Sequence, residues 1–205
     1  MKIQEVEVCK LTALSFGKLE EAYIFVYENA KELLDESRLL FEHKNYARCY
    51  TLAQIAIEEL AKLPIIYQEA TRSFFKEPHD WKHFYKRLRS HEAKNRQNFV
   101  YFRTILDVTE GEHPDFEFNK LEQTLKYFND MKNMSLYADV KNNKFTKPSM
   151  EIKQHTAKEL LQLVEGMFEI FSLTGFQNKG GIKKSLDHEG ARIKREIFRK
   201  AGLIK

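Results

Sequence analysis

The residues best suited to chemistry lie in a segment, residues 79–109, that is predicted to form one long helix. At about 100° per residue, the Phe and Leu side chains of this segment fall on one apolar stripe. His91 and Asn95 occupy positions inside the stripe, and Arg87 and Lys94 lie along one edge. Histidine titrates near neutrality and can transfer protons, whereas arginine and lysine bind anions. The spacing therefore indicates acid–base chemistry on an anionic ligand.

Polar side chains in an apolar stripe need partners, because burying each one unpaired costs about 1–3 kcal/mol. One interpretation is structural, with His91 and Asn95 bonded to a carboxylate of the preceding helix. The helical wheel places Glu59 at the edge of that helix's stripe and directs Glu58 outward. The other interpretation is that the polar face is a cleft or a surface covered by a second subunit, which would make a homodimer. The sequence leaves both open.

The chain that must position these residues is predicted to be helical almost throughout. Six helices are expected, at about 16–43, 46–75, 79–109, 116–133, 156–173 and 186–201. Pro64 should kink or locally loosen the second helix, Thr156 and Glu159 have capping-box spacing at the start of the fifth, and Gly175 suits its C-terminal cap. The one strand-like run, 135–140, is too short to build a sheet. The predicted fold class is all-α.

Composition restricts the class of protein further. The 205 residues include only 8 Gly and 4 Pro, too few for the many turns of an all-β fold. Two cysteines cannot make a disulfide framework or a Cys-based zinc site, so a reduced, cytoplasmic protein is expected. No signal peptide and no membrane-spanning run are recognisable. No phosphate loop or dinucleotide motif is present, and no cofactor is predicted.

Positive charge is concentrated in two segments. Residues 82–103 hold seven basic residues and one acid, and residues 179–205 hold nine basic and three acidic residues. Such segments favour a nucleic acid partner, although solvated helix faces would explain them equally well. We expect a helical bundle over 1–178 and a basic C-terminal appendage over 179–205, with Gly180-Gly181 as a flexible joint. The candidate RNA-binding residues are Lys86, Lys183, Lys184, Arg192 and Arg195.

Histidines offer a metal site as a rival use. His79 and His83 are four residues apart in HDWKH, so both could bind one ion from the same helix face. Further ligands at suitable spacing are not evident, and no metal is predicted.

Three segments resemble a known family. The run NYARCYTLAQIAIEELAKL resembles the signature of HEPN helical domains, through Glu58, Glu59, Leu60 and Lys62. The run WKHFYKRLRSHEAK resembles AbiV-type abortive infection proteins, through Trp81, Phe84, Arg89, His91 and Lys94. The run KNMSLYADVKNNKFTKP resembles the segment before that family's last helices, through Leu136, Tyr137, Asp139 and Pro148. The resemblance runs from about residue 20 to about residue 175.

The resemblance implies a HEPN-like helical bundle and a phage-defence protein of the bacterial cytoplasm. Many HEPN proteins are metal-independent ribonucleases that act as dimers, with a motif of Arg, four to six residues, then His. Arg87 and Arg89 lie too close to His91 to fit this motif, and only Lys86 lies at the shortest spacing. Arg72 and His79 have six residues between them and form an alternative catalytic pair. The family also suggests a phage-encoded activator protein.

In the ribonuclease hypothesis, the 2′-hydroxyl of the RNA is the nucleophile and His91 transfers the proton. Cations near His91 stabilise the charge that develops on the phosphate. The candidate catalytic residues are His91, Arg87, Arg89, Lys94, Glu59 and Asn95. The competing hypothesis is a non-catalytic HEPN module that binds a phage or host protein or a nucleotide. Removal of residues 179–205 is expected to weaken RNA binding and leave the bundle folded.

Overall fold

The computed structural model of the protein describes residues 12–90, 94, 118–141 and 143–200. Within these ranges the chain is helical apart from one short hairpin, which confirms the all-α prediction. The first helix, α1 (Phe16–Glu42), begins at Ser15, whose hydroxyl accepts a hydrogen bond from the Lys18 backbone N–H. It ends where Lys44 adopts a left-handed conformation with φ 60°.

The predicted second helix is divided into α2 (Tyr46–Leu60) and α3 (Lys62–Phe74). The interruption at Ala61 comes three residues before Pro64. A proline has no N–H to give to the carbonyl of the residue four positions earlier, which here is Leu60. The expected effect of Pro64 is therefore confirmed. Asn45 precedes α2 as its N-cap residue, but its side chain makes no capping hydrogen bond.

The predicted third helix is much shorter than expected. Helix α4 (Trp81–Arg89) begins at Asp80, whose carboxylate accepts a hydrogen bond from the His83 N–H at 2.9 Å. It ends at Ser90, which has an extended backbone with φ −79° and ψ 117°. The prediction of one continuous helix over 79–109 is therefore wrong at Ser90, and helical-wheel positions cannot be carried across that residue.

The second half of the described chain starts with α5 (Phe118–Leu136). Strands β1 (Asp139–Lys141) and β2 (Lys144–Thr146) follow as an antiparallel hairpin in which Val140 faces Phe145. After the short α6 (Pro148–Glu151) comes α7 (Gln154–Leu173). Helix α7 starts two residues before Thr156 and has no side-chain cap, so the predicted capping box is wrong. Gly175 follows α7 in the left-handed conformation, with φ 68°, as expected.

Helix α2 is the centre of the bundle. It packs against α1, α5 and α7, while α3 continues along α1. Small side chains permit this close approach, because Cys49, Ala53 and Ala56 are fully buried in α2. Polar residues are buried there too, among them Thr51, Gln54 and Glu58. A helix with neighbours on several sides has no outward face over much of its length.

The C-terminal segment consists of α8 (Gly181–Leu186) and α9 (Glu189–Lys200). Helix α8 contributes Ile182 and Leu186 to the main core. Gly181 is closely packed, because a Cβ atom at this position would clash with the Gly175 carbonyl oxygen. Helix α8 is therefore part of the bundle, and the basic helix beyond it is α9; flexibility at Gly180-Gly181 stays a prediction. None of the helices in the described ranges is long and apolar enough to cross a membrane.

Candidate functional site

The residues of the predicted patch on the third helix are distributed over different surroundings. His91 and Asn95 lie outside the described residues, and their roles stay predictions. Arg89 is exposed at the end of α4, and its guanidinium lies 5.9 Å from the centre of the Tyr85 ring. Arg87 turns to α3, where it donates a hydrogen bond to Gln68 at 2.8 Å.

Lys94 belongs to a buried ion-pair cluster. Its ammonium lies 3.6 Å from one carboxylate oxygen of Glu58, while Lys132 of α5 binds the other oxygen at 2.7 Å. Burial lowers the pKa of Lys94, and the Glu58 carboxylate opposes that change. Glu58, expected to point outward, is instead 3% exposed, so that prediction is wrong. These contacts tie α2 to α5 and to the segment after α4.

Glu59, the next residue on α2, binds side chains at the α2–α3 junction and on α1. Its carboxylate accepts hydrogen bonds from Lys62 at 2.5 Å and from Asn29 of α1 at 3.0 Å. The side chain is only 15% exposed. Glu59 therefore joins α1 to the α2–α3 junction, and a contact with His91 stays a prediction.

A histidine–carboxylate pair lies where α3 is connected to α4. The Nδ1 atom of His79 is 2.5 Å from a carboxylate oxygen of Glu69, which lies on α3. The His79 ring also stacks on Trp81, with the ring centres 4.7 Å apart and the planes 16° from parallel. The His79 side chain retains 21% exposure, and that of Glu69 retains 10%. The imidazole is thus held on two sides and still reaches solvent.

The Glu69 contact determines which nitrogen of His79 is available. With Nδ1–H donating to the carboxylate, Nε2 carries the lone pair that can accept a proton. Within the described part of the chain, Nε2 has no hydrogen-bond partner. A carboxylate in this position fixes the tautomer and the orientation of the ring. This is the arrangement required for proton transfer.

Two arginines lie in the same region. The Arg72 guanidinium donates to the carbonyl of Pro78, the residue directly before His79, at 3.3 Å. The Glu77 N–H donates to the Arg72 carbonyl at 2.9 Å, which folds the connection back onto the end of α3. The turn thus brings Arg72 to the chain segment that carries His79.

Arg87 completes this cluster from α4. Burial lowers the pKa of its guanidinium, while attraction to Glu69 raises it and repulsion from Arg72 lowers it further. The hydrogen bond from Arg87 to Gln68 places its guanidinium beside the residue that directly precedes Glu69. We call Glu69, Arg72, His79 and Arg87 the α3–α4 cluster.

Sequence reasoning missed Glu69. It precedes Arg72 by three residues, a spacing that places two side chains on one face of a helix. That signal was available, but contact with His79 depends on the turn through Pro78. His83, the other histidine of HDWKH, is exposed on α4.

The predicted RNA-binding residues also differ in their surroundings. Lys86, Lys183 and Lys184 are exposed. Arg192 is exposed and lies 3.3 Å from Asp187. Arg195 is instead largely buried against Glu77, to which it donates two hydrogen bonds.

Comparison with protein families gives one match. The family model HEPN_AbiV, described as AbiV, matches residues 18–169. This range is well over half of the chain, contains the whole α3–α4 cluster, and ends before α8 and α9. The match confirms the resemblance seen in the sequence. No match was found among curated proteins or among solved structures.

Proposed function

Since the chain belongs to the AbiV family of HEPN proteins, we propose that it is a phage-defence ribonuclease whose active site is the α3–α4 cluster. Membership of this family associates the protein with abortive infection. The single observation that carries the proposed activity is the contact of Glu69 with His79 Nδ1, which leaves Nε2 for proton transfer beside two arginines. Arg72 and His79 also have the Arg–His spacing that the family resemblance implies.

The proposed reaction uses the RNA's own nucleophile. Nε2 of His79 takes the proton of a 2′-hydroxyl, and the oxygen attacks the adjacent phosphorus. Arg72 and Arg87 stabilise the extra negative charge on the phosphoryl oxygens. The bond from phosphorus to the 5′-oxygen then breaks, and an imidazolium returns a proton to that oxygen. The products are a 2′,3′-cyclic phosphate and a 5′-hydroxyl, and no metal ion is needed.

A homodimer fits this chemistry, because one imidazole must act as base and another as acid for both proton transfers to occur together. Two α3–α4 clusters facing each other would supply both groups, with His79 of each chain on one side of a shared groove. Dimerisation, action in the bacterial cytoplasm and control by a phage-encoded activator are parts of the proposal that the family suggests.

A second candidate function is binding to another protein without catalysis. The observation that favours it is an exposed aromatic surface at the hairpin, where Tyr137 is 65% exposed and Phe145 is 84% exposed. Such surfaces mark protein contact sites more often than catalytic ones. On an active ribonuclease, the same aromatic surface would serve to bind an activator protein.

The test is incubation of the purified protein with total RNA in EDTA, followed by analysis of the RNA ends. We expect cleavage that leaves 2′,3′-cyclic phosphates, and its loss in His79→Ala. His155→Ala is the matched control, because His155 is an exposed histidine near the start of α7. His91→Ala tests the first predicted site in the same experiment. Full activity of His79→Ala, or cleavage only with added metal, would overturn the proposed mechanism.

A further inference from the structure

A groove of about 600 Å³ lies between the C-terminal end of α3 and helix α9. Phe74 and Phe75 form part of its wall. Five cations also line it, namely Lys76, Arg192, Arg195, Arg199 and Lys200. Glu196 is the one carboxylate among its described lining residues. We call this the α9 groove.

The cations of the α9 groove outnumber the carboxylates near them. Glu77 lies behind the groove and is 7% exposed, so its charge is directed into the protein. It binds Arg195 and lies 3.5 Å from Arg199. Asp187 pairs with Arg192 and Glu196 pairs with Lys200, so three carboxylates face the five cations of the groove and positive charge remains in excess. The side chain of Arg199 is 53% exposed and that of Arg192 is 64% exposed, so both can reach a ligand.

The Glu77–Arg195 ion pair preforms the groove. Arg195 is held on the buried carboxylate, and its guanidinium lies 5.7 Å from the centre of the Phe75 ring. Arginine on an aromatic ring keeps its outer face and remaining N–H groups available to anions. Lys76, with a left-handed φ of 56°, forms the turn between Phe75 and Glu77. An anion would therefore find the aromatic wall and the cations already in place.

Glu77 also joins the α9 groove to the α3–α4 cluster. The backbone N–H of Glu77 donates to the Arg72 carbonyl at 2.9 Å, and Glu77 precedes His79 by two residues. Two residues of extended chain span at most about 7 Å. The backbone behind the α9 groove thus lies within about 7 Å of His79.

Cations combined with aromatic rings at one groove are typical of sites for single-stranded nucleic acids, where phosphates meet the charges and bases stack on the rings. A rigid duplex keeps its bases stacked inside and would contact such a wall with its backbone alone. We infer that the α9 groove binds a single-stranded stretch of RNA adjacent to the nucleotide presented to His79. This inference rests on the proposed function, of which it specifies the substrate class.

The test is fluorescence anisotropy with the full-length protein and a labelled 2′-O-methyl RNA of about 12 nucleotides, within the range that single-strand sites occupy. The blocked 2′-oxygen prevents cleavage, so the wild-type protein can be used. The groove variant carries Lys76→Ala, Arg199→Ala and Lys200→Ala, all at exposed positions. The matched control removes three exposed lysines that have no proposed role in RNA binding, through Lys31→Ala, Lys144→Ala and Lys158→Ala.

We expect the groove variant to bind at least about tenfold more weakly, while the control loses less than about twofold. The slope of log affinity against log salt should become shallower by about 2 in the groove variant, because each lost phosphate contact with a single strand removes about 0.7. Phe75→Leu should weaken binding without changing the slope, since it removes stacking and no charge. Equal losses in the two triple variants, or none in the groove variant, would overturn the inference. Equally tight binding of a duplex of the same sequence would overturn the single-strand assignment.

Failure of the groove and failure of the ribonuclease proposal can be told apart. If a groove variant binds RNA as tightly and cleaves total RNA as fast as wild type, only the inference about the α9 groove is rejected. Groove-dependent binding together with no cleavage by wild type would reject the ribonuclease and retain the groove as a binding site. Circular dichroism of each variant checks that the helices are intact.

Discussion

Truncation of the C-terminal segment tests how far the bundle extends. The sequence predicts that residues 179–205 can be removed without unfolding the rest, but α8 places two apolar side chains in the core. Ile182 is fully buried, and Leu186 is 4% exposed. Two truncated proteins separate α8 from α9: one ends at Lys179 and the other ends at His188, so that α8 is lost only in the first.

The expected difference follows from burial. A fully buried Ile or Leu side chain contributes about 1.5–3 kcal/mol, so loss of both removes about 3–6 kcal/mol. That is a large fraction of the roughly 5–15 kcal/mol that stabilises a typical domain. Loss of α9 alone removes the partners of Glu77 but also exposes this carboxylate to water. Loss of α9 alone should therefore lower the free energy of unfolding by less than about 2 kcal/mol.

Urea unfolding followed by far-UV circular dichroism measures this difference. With a slope of about 2 kcal/mol per molar urea, the protein ending at Lys179 should unfold about 1.5–3 M earlier than the full chain. Point variants give the same answer without truncation: Ile182→Ala should cost about 2–5 kcal/mol, and Lys183→Ala less than about 0.5 kcal/mol. If the two truncated proteins unfolded at the same urea concentration, the assignment of α8 to the core would be refuted.

Three further predictions follow from particular contacts. Glu69→Gln should reduce RNA cleavage at least about a hundredfold with little change in KM, because the amide N–H can donate to Nδ1 and favour the tautomer of His79 whose Nε2 cannot accept a proton; cleavage at the wild-type rate would contradict this. Gly181→Ala should lower the urea midpoint, since its Cβ would clash with a backbone oxygen, whereas Gly166→Ala, with open space in α7, should raise stability by about 0.5–1 kcal/mol. Burial raises the pKa of Cys49 to about 11, so this thiol should resist alkylation at neutral pH until the protein unfolds, as peptide mapping of labelled samples can check.

Much of the fold could be predicted because helix formation is encoded locally. The apolar positions of α1 repeat at helical spacing, and the same positions, including Leu19, Tyr23 and Leu34, are buried in the structure. Pro64 and Gly175 act through their own backbone chemistry, so their effects are independent of distant partners. These features could be predicted without knowing which helices pack against each other.

The errors occurred where a neighbour decides the outcome. Glu58 lies on what a single-face wheel treats as the outer side of α2, but α5 covers that side and supplies Lys132 as its partner. Ile182 and Leu186 lie outside the bundle that the sequence predicts, but both side chains pack in its core. The helical spacing of apolar residues continues past Ser90 in the sequence, but the backbone of Ser90 is extended. Apolar spacing alone cannot predict such a single break.

The same division applies to the candidate site. The sequence by itself determined the all-α class, the AbiV-type HEPN family, the positions of the basic segments and the Arg72–His79 spacing, because these depend on residue types and on distances along the chain. Only the tertiary structure decided that Glu69 binds Nδ1 of His79 and that Arg195 of α9 binds Glu77. Both contacts join residues from separate elements, and their formation depends on how the helices pack and how the α3–α4 connection turns, which no local pattern encodes.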